Sequence, residues 1–85
     1  MPVHILYFAW VRERVGVGME RLDVPDDIAT IADLIAWLAK RSEGHAAAMA
    51  DPARLRAAID QNFVSFDAPI ARAREIALFP PVTGG

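Results

Sequence analysis

The stretch from Thr30 to Gly44 constrains the fold more than any other part of the chain. Thr30-Ile31-Ala32-Asp33 is a capping-box-like helix start with Asp in place of the usual Glu. Ile31, Leu34, Ile35 and Leu38 then recur at i, i+3, i+4 and i+7, which gives one helix face an apolar stripe. Lys40 and Arg41 complement the dipole of the helix end, and Gly44 is placed to cap it. A stripe of this kind has to be covered, and the rest of the chain offers strands to cover it. Residues 2 to about 9 are apolar and β-branched and form a first strand. Glu20 to Val24 alternates polar and apolar and ends at Pro25, a second strand. Arg56 to Phe66 holds two strand-like runs around the hairpin turn Asp60-Gln61-Asn62, and Glu75 to Phe79 is a last strand. Between them, Val11 to Gly18 reads as a short helical turn and a loop, and 45–55 as a loop with a short helical piece. Asp67-Ala68-Pro69 is a further turn. This order predicts an α+β fold, a mixed sheet with one long helix packed across one face.

With 85 residues the chain is one small domain. Its net charge of -2, with scattered basic residues, gives no footprint for nucleic acid or an anionic membrane surface. No apolar run is long enough to span a bilayer, and no signal peptide is visible, so the cytoplasm is the default compartment. The absence of cysteine excludes a disulfide framework, a thiolate nucleophile and a cysteine metal site. His4 and His45 lack carboxylates at ligand spacing, so no metal is expected; His4 reads as a strand surface or edge residue and His45 as polar surface at a helix end. Ser42 and Ser65 show no base-and-orienter arrangement in sequence. No Walker-type loop or dinucleotide fingerprint is present. A self-contained enzyme is therefore not expected.

The end of the chain carries the chemistry. Residues 1–79 read as the folded domain and 80–85 as an extended tail. Pro80 and Pro81 favour a semi-rigid exit from the body. Gly84 and Gly85 leave a carboxylate on a stalk without Cβ atoms, which can lie close to another protein's backbone. That carboxylate is ionised at neutral pH, since its reference pKa is roughly 3.5. An ionised carboxylate is a poor electrophile and must be activated, for example as an acyl-adenylate. With no nucleotide site in this chain, the activation falls to a partner.

Val64-Ser65-Phe66-Asp67-Ala68-Pro69-Ile70, and then Glu75-Ile76-Ala77-Leu78-Phe79-Pro80-Pro81-Val82-Thr83-Gly84-Gly85, closely resemble the end of the small, sulfur-carrier subunits of molybdopterin synthase. Leu6-Tyr7-Phe8-Ala9 and Val11-Arg12-Glu13 resemble that family's opening. The likeness is weakest between about 44 and 55. It implies a ubiquitin-like β-grasp fold and a cycle in which the small subunit is a co-substrate rather than a catalyst. In that cycle an adenylating enzyme related to ubiquitin-activating enzymes uses ATP to adenylate Gly85. A sulfur donor converts the adenylate to a thiocarboxylate. The tail, Pro80, Pro81, Val82, Thr83 and Gly84, then threads Gly85 into the large synthase subunit, where sulfur passes to a cyclic pterin precursor. No bound cofactor is implied for the carrier itself. The resemblance also implies a heterotetramer around a large-subunit dimer.

Strand alternation assigns the faces. Val3, Ile5, Ile76 and Leu78 are expected in the core under the helix. If the first and last strands are neighbours, Leu6, Phe8, Ala77 and Phe79 form an apolar patch on the open face, a candidate partner surface. Phe79, next to the tail, is the leading anchor; the loop around 44–55 is the alternative cover for this patch. Trp10 and Trp37 are expected to serve packing. One departure from the family is Ala71-Arg72-Ala73-Arg74-Glu75, where an acidic, glycine-containing turn is usual. Here no glycine is present, so the turn is expected to be rebuilt. Arg72 and Arg74 read as a solvated turn or as an altered electrostatic fit to a partner. Three roles stay open: the molybdopterin sulfur carrier, a carrier for thiamine or another pathway, and a ubiquitin-like modifier of lysines. Phe79-Pro80-Pro81-Val82-Thr83 argues against the second, and Thr83 in place of a basic residue argues weakly against the third.

Overall fold

The fold was analysed in a computed structural model that describes residues 1–81. Val82, Thr83, Gly84 and Gly85 lie outside the described residues. The chain runs through β1 (Pro2–Tyr7), α1 (Ala9–Val15), β2 (Met19–Asp23), α2 (Ile31–Leu38) and α3 (Glu43–Ala48). A 3-10 turn (Pro52–Arg54) leads into β3 (Arg56–Ile59), β4 (Asn62–Val64) and β5 (Glu75–Phe79). The strands form one sheet in the order β2-β1-β5-β3-β4. β1 and β5 are parallel, and the other neighbours are antiparallel. A mixed sheet with its terminal strands side by side and a helix across one face is the expected ubiquitin-like β-grasp.

The helix stripe does what its spacing dictates. Ile31, Leu34, Ile35 and Leu38 are all buried, against Val3, Ile5, Tyr7, Ile76 and Leu78 from the sheet. Thr30 caps α2 reciprocally with Asp33: the Asp33 amide donates to Thr30 Oγ1 at 3.2 Å, and the Thr30 amide donates to Asp33 Oδ2 at 3.3 Å. Trp10 and Trp37 are half-buried and pack against this core. Each also carries an arginine over its ring, Arg14 over Trp10 at 4.6 Å and Arg41 over Trp37 at 5.2 Å.

The first strand is shorter than the apolar run suggests. Ala9 takes a φ of 54°, which turns the chain out of the sheet after Tyr7 and starts α1. Val11 is thereby delivered to the core from a helix. Gly44 is a correction. α2 stops at Leu38, and Lys40 and Arg41 lie in the turn beyond it. Gly44 is no cap; it lies inside α3, where a Cβ would stand 2.3 Å from the Arg14 carbonyl oxygen. Its missing side chain lets α3 cross close over α1.

The hairpin turn uses Asp60 and Gln61, both at positive φ (48° and 73°), which matches the twist of the flanking strands. The glycine-free stretch 71–74 needs no positive φ. Its strand entry is instead fastened by Asp60, whose Oδ1 accepts from the amides of Arg74 (3.1 Å) and Glu75 (2.9 Å). Ala73 is buried, while Arg72 and Arg74 are exposed. No helix among the described residues is long and apolar enough to cross a membrane.

Candidate functional site

Register places the predicted face together. Leu6 pairs with Ala77, Ala77 with Ala58, and Ala58 with Phe63, so one row of apolar side chains crosses β1, β5, β3 and β4. Met19 of β2 extends the row beyond Leu6. Phe8 and Phe79 stand toward the tail end, where Arg56 pairs with Phe79. Together Leu6, Phe8, Ala58, Phe63, Ala77 and Phe79 line a groove of about 510 Å³ that continues to Pro80 and Pro81. The alanines give it a low floor and the phenylalanines its walls. Phe63 and Phe79 have ring centres 5.5 Å apart. Phe63 is 80% exposed and Phe8 48% exposed, a large apolar surface for so small a domain. The segment 44–55 does not line this groove.

Alternation was enough to place Leu6, Phe8, Ala77 and Phe79. Phe63 and Ala58 were missed. The same rule finds both once the hairpin is fixed, because Val64 and Ala57 point to the core and their neighbours must point away. Beyond the apolar row lies a polar one: Arg21, His4 and Glu75 pair across β2, β1 and β5. His4 is exposed there, as expected of a strand surface residue. The open face therefore carries an apolar row, with Arg56 beside Phe79 at its tail end and a second charged row at the opposite end. Ala9, in its left-handed conformation, lies on the groove's rim next to Phe8.

The covered face holds a polar chain that sequence reading did not find. His45 is not helix-end surface but only 6% exposed, a second correction. Its Nε2 is 2.8 Å from Glu20 Oε2, and its Nδ1 is 2.7 Å from Ser42 Oγ. Tyr7 donates its hydroxyl to the same Glu20 oxygen at 2.7 Å. With the carboxylate accepting from both, the proton sits on Nε2, and Nδ1 accepts from the Ser42 hydroxyl. Burial alone would raise the Glu20 carboxyl. The hydrogen bonds from His45 and Tyr7, with the positive charge of Arg41, outweigh it and hold the group below the ordinary glutamate range. Burial, reinforced by Glu20, keeps the Tyr7 phenol protonated far above its usual pKa. Although Ser42, His45 and Glu20 have the composition of a hydrolytic triad, Ser42 Oγ is also the cap of α3, accepting from the His45 amide at 3.1 Å. No buried side-chain polar atom among the described residues lacks a partner. The chain Ser42–His45–Glu20–Tyr7 fastens α3 to the sheet. No group of three or more potential metal ligands occurs among the described residues.

Comparison with known proteins fits the geometry. The profile of the ThiS family matches residues 5–85. A molybdopterin synthase sulfur carrier subunit of Escherichia coli is 42% identical over 83 residues, which cover 98% of this chain and 99% of that protein. The chain belongs to the ThiS family. The Haemophilus influenzae molybdopterin synthase sulfur carrier subunit is 36% identical over the same shares of the two chains. Among solved structures, a Pyrococcus furiosus chain described as molybdopterin converting factor subunit 1 superposes with a TM-score of 0.77 at 28% identity, covering 96% of this chain and 99% of that one. SAMP1 of Haloferax volcanii does so with a TM-score of 0.72 at 26% identity, both chains covered in full. This ThiS-family domain thus has relatives of its own length and β-grasp fold.

Proposed function

We propose that this ThiS-family chain is the sulfur carrier subunit of a molybdopterin synthase, with Gly85 as the working group and the groove as the handle that partners grip. The observation that carries the reading is continuity. The apolar groove on the open face runs directly into Pro80 and Pro81, so a protein seated on it stands where the tail leaves. In the proposed cycle the Gly85 carboxylate attacks the α-phosphorus of ATP on an adenylating enzyme, and pyrophosphate leaves. Sulfide-level sulfur (hydrosulfide) then attacks the acyl carbon and AMP leaves, giving the thiocarboxylate. The large subunit takes the tail, the thiocarboxylate sulfur bonds to the pterin precursor, and water then cleaves the acyl–sulfur bond and restores the Gly85 carboxylate. Neither nucleotide nor metal is held by the carrier, whose residues supply recognition and reach.

The decisive experiment is the intact mass before and after incubation with ATP, a sulfide source and the cognate adenylating enzyme, with the Gly85-deleted chain as control. The expected result is a gain equal to the exchange of one oxygen for sulfur, absent in the control. No gain with an enzyme active on another carrier refutes the reading. Covalent high-mass conjugates that survive denaturation would instead favour the modifier role. The handle is tested separately: Phe79→Ala is expected to weaken binding to the large subunit by more than about 1 kcal/mol with the fold intact. Unchanged affinity by calorimetry removes Phe79 from the interface.

A further inference from the structure

Trp10, which follows the groove-lining Phe8 and Ala9, holds two cations. The Arg14 guanidinium carbon lies 4.6 Å from the indole centre and that of Arg54 lies 5.2 Å from it. The two positive charges are therefore at most about 10 Å apart, close to the distance over which physiological salt screens charge. Among the described residues neither guanidinium has a hydrogen-bond or ion-pair partner. Asp51, the carboxylate nearest to Arg54 in sequence, accepts at Oδ1 from the Ala53 amide at 3.3 Å. Stacking fixes the plane of a guanidinium and leaves its in-plane N–H donors free, an arrangement suited to bidentate carboxylate recognition.

The location gives these charges a use. α1 begins where Phe8 donates its amide to the Leu78 carbonyl at 3.2 Å, one residue before Phe79. The 3-10 turn that carries Arg54 leads directly to Arg56, the partner of Phe79 in the sheet. Arg56 spends part of its guanidinium on the Leu55 carbonyl, to which Nη1 donates at 2.7 Å, and remains exposed. Arg56 thus stands beside Phe79 at the end of the groove from which Pro80 departs, and Arg14 and Arg54 lie on Trp10, the residue after the groove-lining Ala9.

We propose that Arg14 and Arg54, held on Trp10 and joined by Arg56, form a cationic rim that receives carboxylate side chains of the protein that takes the tail. The inference rests on the groove being the docking face. Protein carboxylates fit better than a free phosphate. The three arginines are exposed, and Arg56 stands next to Phe79 on an apolar surface that a small anion does not use. Carboxylates already brought close by a partner seated in the groove gain effective concentration that a free anion lacks. The rim steers encounter, so its loss appears mainly in the association rate and in salt dependence.

The test is stopped-flow association of the full chain with the cognate large subunit at low and high salt. Arg14→Gln/Arg54→Gln is expected to slow association at low salt by about three- to tenfold, with the difference closing at high salt. Arg14→Lys/Arg54→Lys, which keeps the charges, is expected to retain most of the rate. A far-UV circular dichroism check excludes loss of fold. Wild-type rate and salt dependence in the Gln variant overturn the rim. If Phe79→Ala weakens binding in the same assay while the Gln variant does not, the groove stands and the rim alone falls. If neither variant changes binding, the docking face itself is wrong. Inorganic phosphate, compared with chloride at equal ionic strength, is expected to slow association no further. A specific block by phosphate overturns the assignment to protein carboxylates.

Discussion

Gly44→Ala separates two physical effects of opposite sign. Gly44 lies inside α3 and has no positive φ, so its backbone does not require glycine. On helix propensity alone, alanine there gains about 1 kcal/mol. Packing says the reverse. The new Cβ would stand 2.3 Å from the Arg14 carbonyl oxygen, 3.2 Å from the Val15 carbonyl oxygen and 3.4 Å from the Arg14 carbonyl carbon. An ordinary contact requires roughly 1 Å more at the first of these, and the atoms in the way are backbone. The two helices have to part, and the hydrogen bond from His45 to Glu20 is stretched as α3 moves.

Overpacking of this severity costs at least the upper part of the usual range, about 3 kcal/mol. After the propensity gain the net loss is about 2 kcal/mol or more. For a domain of this size that lowers Tm by about 8–16 °C. Thermal unfolding by circular dichroism reads the shift. Ala47→Gly, at an exposed position of the same helix, is the control and is expected to lose only about 0.5–1 kcal/mol, from propensity. A Tm for Gly44→Ala equal to or above wild type refutes the close crossing of α3 over α1.

Two further outcomes follow from the polar fastenings. The folded-state pKa of Glu20 is held below its unfolded value of about 4.3, so its stabilisation is complete above that value and is lost as pH falls through the folded one. Glu20→Gln is therefore expected to lower Tm at neutral pH and to flatten the decline of Tm below about pH 4.5; Tm–pH curves that run parallel to wild type would count against the network. Asp60→Ala removes the acceptor for the Arg74 and Glu75 amides at an exposed site and is expected to cost about 1 kcal/mol, read as a lower urea midpoint at unchanged m-value.

Local rules were enough where a residue's role is decided by its sequence neighbours. The Thr30–Asp33 box, the stripe from Ile31 to Leu38 and the alternation of β1 and β5 all belong to this kind. Gly44 and His45 do not. A glycine four residues beyond a helix-end lysine has the signature of a cap, and only the crossing of α3 over α1 shows its other use. His45 is buried because β2 brings Glu20 to it from 25 residues away, a pairing with no local signal. Ala9 ends β1 early through a backbone angle that composition does not encode. On the open face the omission of Phe63 was of another sort. The hairpin was located, and its two-residue periodicity simply extends to Phe63.

The composition of the groove floor gives the sharpest test of what the open face is for. The core beneath the sheet is closed on the helix side by large side chains, and stability has no need of small residues on the other side. Yet the central strand β5 and its neighbour β3 meet there with Ala77 opposite Ala58, flanked by Leu6 and Phe63. If the face were ordinary surface, Ala77→Leu would be harmless. The added carbons would lie against Leu6, Phe63 and Phe79, with Tm unchanged or slightly raised. If the low floor receives a partner's side chain, the same substitution fills the groove and denies that side chain its place. The expected loss of affinity for the large subunit is tenfold or more, about 1.4 kcal/mol, in a protein no less stable than wild type. Stability held and binding lost distinguishes a site from a scaffold, which a destabilising truncation such as Phe79→Ala does less cleanly. Calorimetric titration alongside a melting curve gives both numbers. Undiminished affinity for Ala77→Leu would mean that no partner side chain enters between Leu6 and Phe63.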